Sequence, residues 1–224
     1  MKLLVFDTET TGLPIGKNPS IYKTELWPHV IQLSYIVYCT DENNILTIED
    51  NYIKISDDVI ISEESQKIHK ITREKLNNDG IPINEALQKF NNWTNKCDLL
   101  IGHNISFDKR MVIVEGIRNK IRLNINCTFC TMKHSVDLCK IERKFKDGTM
   151  YFKYPSLSEL YNYLFNETPM NTHNALVDVL ICMRCFYKIK FDTDLFIINK
   201  EICNLATLNI QQSLGGISII KKTH

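Results

Sequence analysis

The sequence predicts an α/β domain in which helices pack against a mixed sheet. Three observations predict it. The apolar run Leu3-Leu4-Val5-Phe6 stops at Asp7, as a short buried strand does. Two β-branched and aromatic segments follow, with the turn residues Asp41-Glu42-Asn43-Asn44 between them. From Ser62 onward, segments with helical spacing alternate with short apolar runs.

In order, residues 2–7 read as a fully buried strand. Residues 13–29 carry Pro14, Pro19 and Pro28 with little periodicity and read as a long loop closing on Trp27. Val30 to Tyr38 reads as a strand, and a second follows around 45–55. The short connection makes these two antiparallel neighbours that extend the first strand's sheet. Ser62, with Glu64 and Ser65, marks a helix start leading to Ile68 and His69. Asn84 is the expected cap of a helix through about residue 95, with Ala86, Leu87, Phe90 and Trp93 on one face. Leu99-Leu100-Ile101 is a short buried strand, and a helix over 106–118 begins directly after it. Residues 127–132 are the expected edge strand and 140–154 a basic, aromatic loop. Ser156 caps a short helix through Leu164, and a longer helix covers 174–190.

The 224 residues are 44% hydrophobic, enough for one well-cored domain. The charge content and scattered aromatics argue against disorder. No apolar run approaches the roughly 20 residues that span a bilayer. The first residues read as a strand and not as a signal peptide. These points, with eight cysteines read as reduced thiols, lead to the expectation of an intracellular protein with no membrane partner: cytoplasmic, nuclear if eukaryotic, in a viral factory if viral. A formal net charge of +1 selects no partner, although binders of long duplexes more often show a strongly basic face.

The chemistry-bearing residues begin with Asp7-Thr8-Glu9-Thr10-Thr11-Gly12. In a strand, residues two apart point to the same face, so Asp7 and Glu9 project together. Like charges that close repel unless a cation lies between them, and a divalent metal is the usual solution. The string Gly102-His103-Asn104-Ile105-Ser106-Phe107-Asp108 puts Asp108 in the first turn of a helix after a strand end. There it either joins the crevice of Asp7 and Glu9 or serves the helix macrodipole. His173 stands at the start of the last long helix and Asp178 just over one turn later. Imidazole is suited to taking a proton from water near neutrality.

Taken together, these residues resemble, in order and context, the DEDDh family of 3′-to-5′ exonucleases, the DnaQ-like proofreading superfamily. Its motifs correspond to Asp7 through Gly12, to His103-Asn104 with Phe107-Asp108, and to His173-Asn174-Ala175 with Asp178. Ile68-His69-Lys70-Ile71-Thr72 is similar to the family's His-Gly-Ile-Thr segment, with Lys70 where Gly is usual. Leu157 to Leu160 is similar to its leucine-bearing helix, and the loop at 13–29 to insertions in viral and phage-like relatives.

The resemblance implies an RNase H-like fold, with a central mixed five-stranded sheet of which three strands are antiparallel. It implies an exonuclease domain over 1–190 and a C-terminal extension over 191–224, packed on that domain or trailing from it, with Gly215-Gly216 ending its ordered part. Asp7, Glu9, Asp108 and Asp178 would hold two Mg²⁺ or Mn²⁺ ions, and His173 would deprotonate the attacking water. Nucleoside 5′-monophosphates would be released from the 3′ ends of single-stranded or frayed DNA, in repair or proofreading. Leu13 would wedge against the terminal base, backbone near Thr8 and Thr10 would meet the terminal sugar, and His69, Asn104 and Phe107 would line the pocket. Relatives include monomers and homodimers, and polymerase association is a further expectation. The nearest alternative is an exoribonuclease or oligoribonuclease; from another class, a non-catalytic nucleic-acid-binding or polymerase-associated module.

Three other features lie outside these motifs. Cys127-Thr128-Phe129-Cys130 and Cys182-Met183-Arg184-Cys185 have zinc-ligand spacing, but the second pair falls within a helix and is read as core. Residues 140–154 interleave Arg143, Lys144, Lys146 and Lys153 with Phe145, Tyr151, Phe152 and Tyr154. They read either as a single-strand platform or as a solvated hairpin with inward aromatics. His29, His134 and His224 have no evident partners.

Overall fold

The computed structural model describes residues 1–169 and 172–213. In chain order the strands are β1 (Lys2–Thr10), β2 (Val30–Cys39), β3 (Asn44–Tyr52), β4 (Leu99–Gly102), β5 (Thr128–Cys130), β6 (Glu142–Lys144) and β7 (Met150–Phe152). The helices are α1 (Glu63–His69), α2 (Arg73–Asp79), α3 (Ile83–Thr94), α4 (Ile105–Arg118), α5 (Thr131–His134), α6 (Val136–Cys139), α7 (Leu157–Phe165), α8 (Ala175–Phe191), α9 (Leu195–Ile198) and α10 (Lys200–Ser213). The main sheet has the order β3-β2-β1-β4-β5. β1 pairs antiparallel with β2 and parallel with β4, and β4 pairs parallel with β5. This is the expected five-stranded mixed sheet, with β5 at its edge.

β1 is central, and its apolar run is buried on both faces. Its alternation assigns each residue to one core. Leu4 and Phe6 face α3 and α4 with Leu87, Phe90, Met111 and Val112. Leu3 and Val5 face α8 with Val179, Leu180, Met183 and Phe186. The same parity continues past the apolar run, so Asp7 and Glu9 fall on the α8 side and Thr8 on the α4 side.

Several boundaries differ from the sequence reading. β1 runs on through Thr10, because β2 pairs with it as far as Thr10 opposite Val30. Tertiary pairing thus overrides the turn-like character of the acids and threonines. α3 is capped by Pro82 and not Asn84; the Pro82 carbonyl accepts from Glu85 and Ala86 backbone N–H groups at 3.0 and 3.3 Å. Residues 140–154 hold the hairpin β6–β7, whose aromatics are exposed and not folded inward. α9 and α10 occupy the tail, and Ile202 and Ala206 bury against the α8 core. Gly215, Gly216 and His224 lie outside the described residues.

The loop at 13–29 closes on buried Trp27, as expected, and contains a 3₁₀ turn at Thr24–Leu26. What shuts it is Arg118, at the end of α4. Its guanidinium donates to the carbonyls of Thr24, Trp27 and Pro28 at 2.6, 2.6 and 2.9 Å and to Glu115 Oε1 at 2.7 Å. Glu115 is buried and also accepts from the Val30 N–H at 3.1 Å. His29 lies 3.3 Å from the same carboxylate, and His134 donates to the Cys130 carbonyl at 2.9 Å and stacks on Phe129. Both histidines therefore have partners that the sequence did not reveal.

Removing one member of a buried pair leaves the other charge uncompensated. Arg118→Met is expected to cost about 3 kcal/mol, seen as a lower urea midpoint. A loss below about 1 kcal/mol would show that Trp27 closes the loop without it.

Candidate active site

The site forms where β1 meets the first turns of α4 and α8. Asp7, Glu9 and Asp178 converge: one ligating oxygen from each lies within 4.8 Å of the others. Strand parity supplies the first two. The third is placed by the cap of α8, where the Asn174 side chain accepts from the N–H groups of Leu176 and Val177 at 3.2 and 3.3 Å. Gln32, directly opposite Glu9 in the sheet, fixes that helix end to the strand. Its Oε1 accepts from the Ala175 N–H at 3.4 Å, and its Nε2 donates to Asp50 at 2.7 Å. Sequence reading passed over Gln32; the signal was a lone amide inside a largely apolar strand.

Asp108 reaches the site from the other face. It is 3% exposed, and its Oδ1 accepts from the Thr8 N–H at 3.1 Å and the Thr8 hydroxyl at 2.7 Å. Thr8 is thereby committed to holding an acid. Thr10 turns its hydroxyl onto the Gly12 carbonyl at 2.8 Å. Asn104 starts α4 in the left-handed region at φ 63°, the sharp turn that sends Asp108 back toward β1.

All four acids hold their protons more tightly than free carboxylates. Burial is the main cause for each, and repulsion between them adds to it for Asp7, Glu9 and Asp178. Asp7 is raised well above the ordinary range, and Glu9 to about 8. Asp108 and Asp178 rise to about 7, although the Thr8 hydrogen bonds and the His173 N–H, respectively, pull the other way. Asp178 Oδ1 is buried with no hydrogen-bond partner among the described residues. A buried acceptor without a donor, within a set of hard oxygen ligands, fits a divalent cation such as Mg²⁺ or Mn²⁺.

His173 is exposed at the rim. Its backbone N–H donates to Asp178 Oδ2 at 2.9 Å, and its φ of 72° is a left-handed value seldom adopted outside glycine. His69 is buried nearby; its Nδ1 accepts from the Ile71 N–H at 2.9 Å, and burial lowers its pKa. Lys70 sits at φ 60°, the conformation for which glycine is the ordinary choice. Leu13, Asn104 and Phe107 border a cavity of about 390 Å³ together with Lys17, Trp27 and Arg110. Leu13 is 79% exposed.

His103 is drawn out of the chemistry. Its Nε2–H donates to the Pro155 carbonyl and its Nδ1 accepts from the Thr131 hydroxyl, both at 3.0 Å. Burial pushes its pKa down to about 4. Cys182 faces the sheet core and Cys185 the α7 core.

Sheet order and helix placement define the RNase H-like α/β class. The sequence profile of the family described as Exonuclease (RNase_T) matches residues 4–186, and the chain belongs to that family. The fold is also that of E. coli exonuclease I. Against its complex with a dA16 oligonucleotide the TM-score is 0.63 at 19% identity, over 91% of this chain and 45% of that one. Its complex with a dT13 oligonucleotide gives 0.61 at 17%, over 91% and 45%. The zinc-bound form of its single-stranded DNA complex gives 0.62 at 18%, over 88% and 42%. The chain thus spans less than half the length of these structures. No curated protein matches it.

The raised acids set a pH dependence. Their folded pKa values exceed those of an unfolded chain, so the native state binds more protons between about pH 4 and 8. Metal-free protein should therefore lose thermal stability as pH rises through that window. Asp7→Asn should be the more stable protein at pH 8 and show a flatter profile. Melting curves in chelator that rise with pH for wild type would contradict the crowding of these carboxylates.

Proposed function

We propose that this exonuclease is a divalent-metal-dependent enzyme that degrades single-stranded DNA from its 3′ end. The observation that carries the reading is the convergence of Asp7, Glu9 and Asp178, with Asp108 buried beside them on Thr8. Four crowded acids with raised pKa values have no structural use, since apolar residues would pack there at lower cost. The DNA complexes of E. coli exonuclease I, one of them with zinc, support both the substrate and the need for a divalent ion.

Asp7, Glu9 and Asp178 would hold the cation, and Asp108, oriented by Thr8, would complete the set for a second. When bound, the ions polarise the scissile phosphate and offset the negative charge of attacking and leaving oxygens. The remaining steps belong to the chain. His173, exposed at the rim and anchored through its backbone to Asp178, takes a proton from the attacking water. Water oxygen bonds to phosphorus as the bond to the preceding nucleotide's 3′ oxygen breaks, and a nucleoside 5′-monophosphate leaves. His103 cannot be the base, because both ring nitrogens are occupied and it stays neutral. Leu13, Asn104 and Phe107, around the cavity beside α4, would receive the terminal nucleotide, with His69 beside Thr10 and His173.

The test uses 3′- and 5′-labelled oligonucleotides of DNA and RNA with Mn²⁺. Wild type should shorten DNA from the 3′ end. Asp7→Asn should lose at least about 10³-fold in rate, and His173→Ala about 10²-fold with metal binding retained. Removal of label from the 5′ end first, or normal turnover by Asp7→Asn, would sink the assignment. Preference for RNA would redirect the substrate reading alone.

A further inference from the structure

The β6–β7 hairpin takes no part in the site described above. Its turn is Lys146-Asp147-Gly148, with Gly148 at φ +93°, and Arg143 pairs across it with Tyr151. Phe145 and Tyr151 stack at 4.1 Å. Phe145, Phe152 and Tyr154 are 52%, 43% and 57% exposed and lie together on this one hairpin. Arg143, Lys144 and Lys146 make no ion pair among the described residues, whereas Lys153 is spent on Glu159 at 2.6 Å. Beneath the hairpin, Tyr151, Phe152, Lys153 and Tyr154 line a cleft of about 600 Å³ with Lys133 and Val136.

The position of this cleft matters as much as its lining. Lys133 lies on α5, just past the carboxyl end of β5, and the Pro155 carbonyl is bonded to His103 just past the carboxyl end of β4. β1, β4 and β5 are neighbours and parallel, so these ends share one edge of the sheet with Asp7 and Glu9. Two strand spacings separate β5 from β1, about 10 Å. A strand whose 3′ end occupies the acid site can reach the hairpin within a few nucleotides.

We propose that the hairpin and its cleft form a second binding surface for single-stranded DNA, gripping the strand to the 5′ side of the scissile end. The proposal rests on the reading of the substrate given above. Rings interleaved with unpaired cations are what a sequence-tolerant single-strand platform needs: stacking for bases, charge for phosphates. A protein-binding face would instead be depleted of lysine at its centre. Self-association through this patch would set like charges against each other across a two-fold axis. With a net charge of only +1 over the whole chain, the local field here has to do what the global field does not.

The experiment is fluorescence anisotropy of full-length protein on a 3′-phosphorothioate-protected thymidine strand of about 20 nucleotides, longer than the site size of many single-strand modules. Two variants are compared with wild type after circular dichroism has shown all three to be folded. In Arg143→Gln/Lys144→Gln/Lys146→Gln, the slope of log affinity against log salt should fall by about 2, near 0.7 per cation removed. In Phe152→Ala/Tyr154→Ala, Kd should rise about five-fold or more with the salt slope kept. Hydrolysis of a dinucleotide by both should match wild type. Unchanged Kd and salt slope in both variants would overturn the proposal, as would an equal loss on the dinucleotide. Because binding is read separately from turnover, a chain that grips DNA through the hairpin without shortening it would refute the catalytic reading and uphold this one.

Discussion

The crowding of desolvated carboxylates, three partly buried and Asp108 buried, is the constraint on which the rest of this structure turns. Asp7, Glu9 and Asp178 meet within 4.8 Å, and Asp108 stands behind them. Water would relieve that repulsion, but desolvation in the crevice prevents it. The fold therefore has to enforce an arrangement that its own side chains oppose. It does so with elements that cannot yield: a central strand buried on both faces, a helix cap at Asn174, and the Thr8 grip on Asp108. Gln32 links the strand and the cap, so the two sources of acid move as one body.

How far this was legible follows from the kind of interaction involved. The pairing of Asp7 with Glu9 is a matter of strand parity and can be read from five letters. So can the capping of α7 by Ser156 and Glu159, which form a reciprocal capping box. The length of β1 could not be read, because its last residues are polar and strand there only through pairing with β2. The role of Arg118 was equally hidden: its acid partner is three residues away on the same helix, but its carbonyl partners lie about ninety residues upstream. The hairpin was only partly hidden. It was one of two readings of 140–154, and the turn signal Asp147-Gly148 between two short segments is what favours it.

The division of labour across the sheet edge is the functional consequence. Strand ends and helix starts at β1, α4 and α8 gather carboxylates, while the hairpin beyond β5 carries Arg143, Lys144 and Lys146, without ion pairs among the described residues, and exposed rings. A polyanion approaching this surface meets attraction at one end and, without cations, repulsion at the other. The loop at 13–29, shut by Arg118, forms the far wall and brings Leu13 and Trp27 to the cavity beside Phe107. The loop is thus held by a charged pair and its carbonyl contacts, whereas Asp7, Glu9, Asp108 and Asp178 make no ion pair among the described residues.

The central claim is that the four carboxylates exist to be neutralised by divalent cations. Calorimetric titration of metal-free protein with Mn²⁺ at pH 6.5, repeated in buffers of different ionisation enthalpy, tests it most directly. Acids that hold protons near neutrality must surrender them to bind metal, so the heat should depend on the buffer and give about one or more protons released per chain. Asp7→Asn should remove both the binding and the release. Binding whose heat is independent of the buffer, or that survives in Asp7→Asn, would contradict the account.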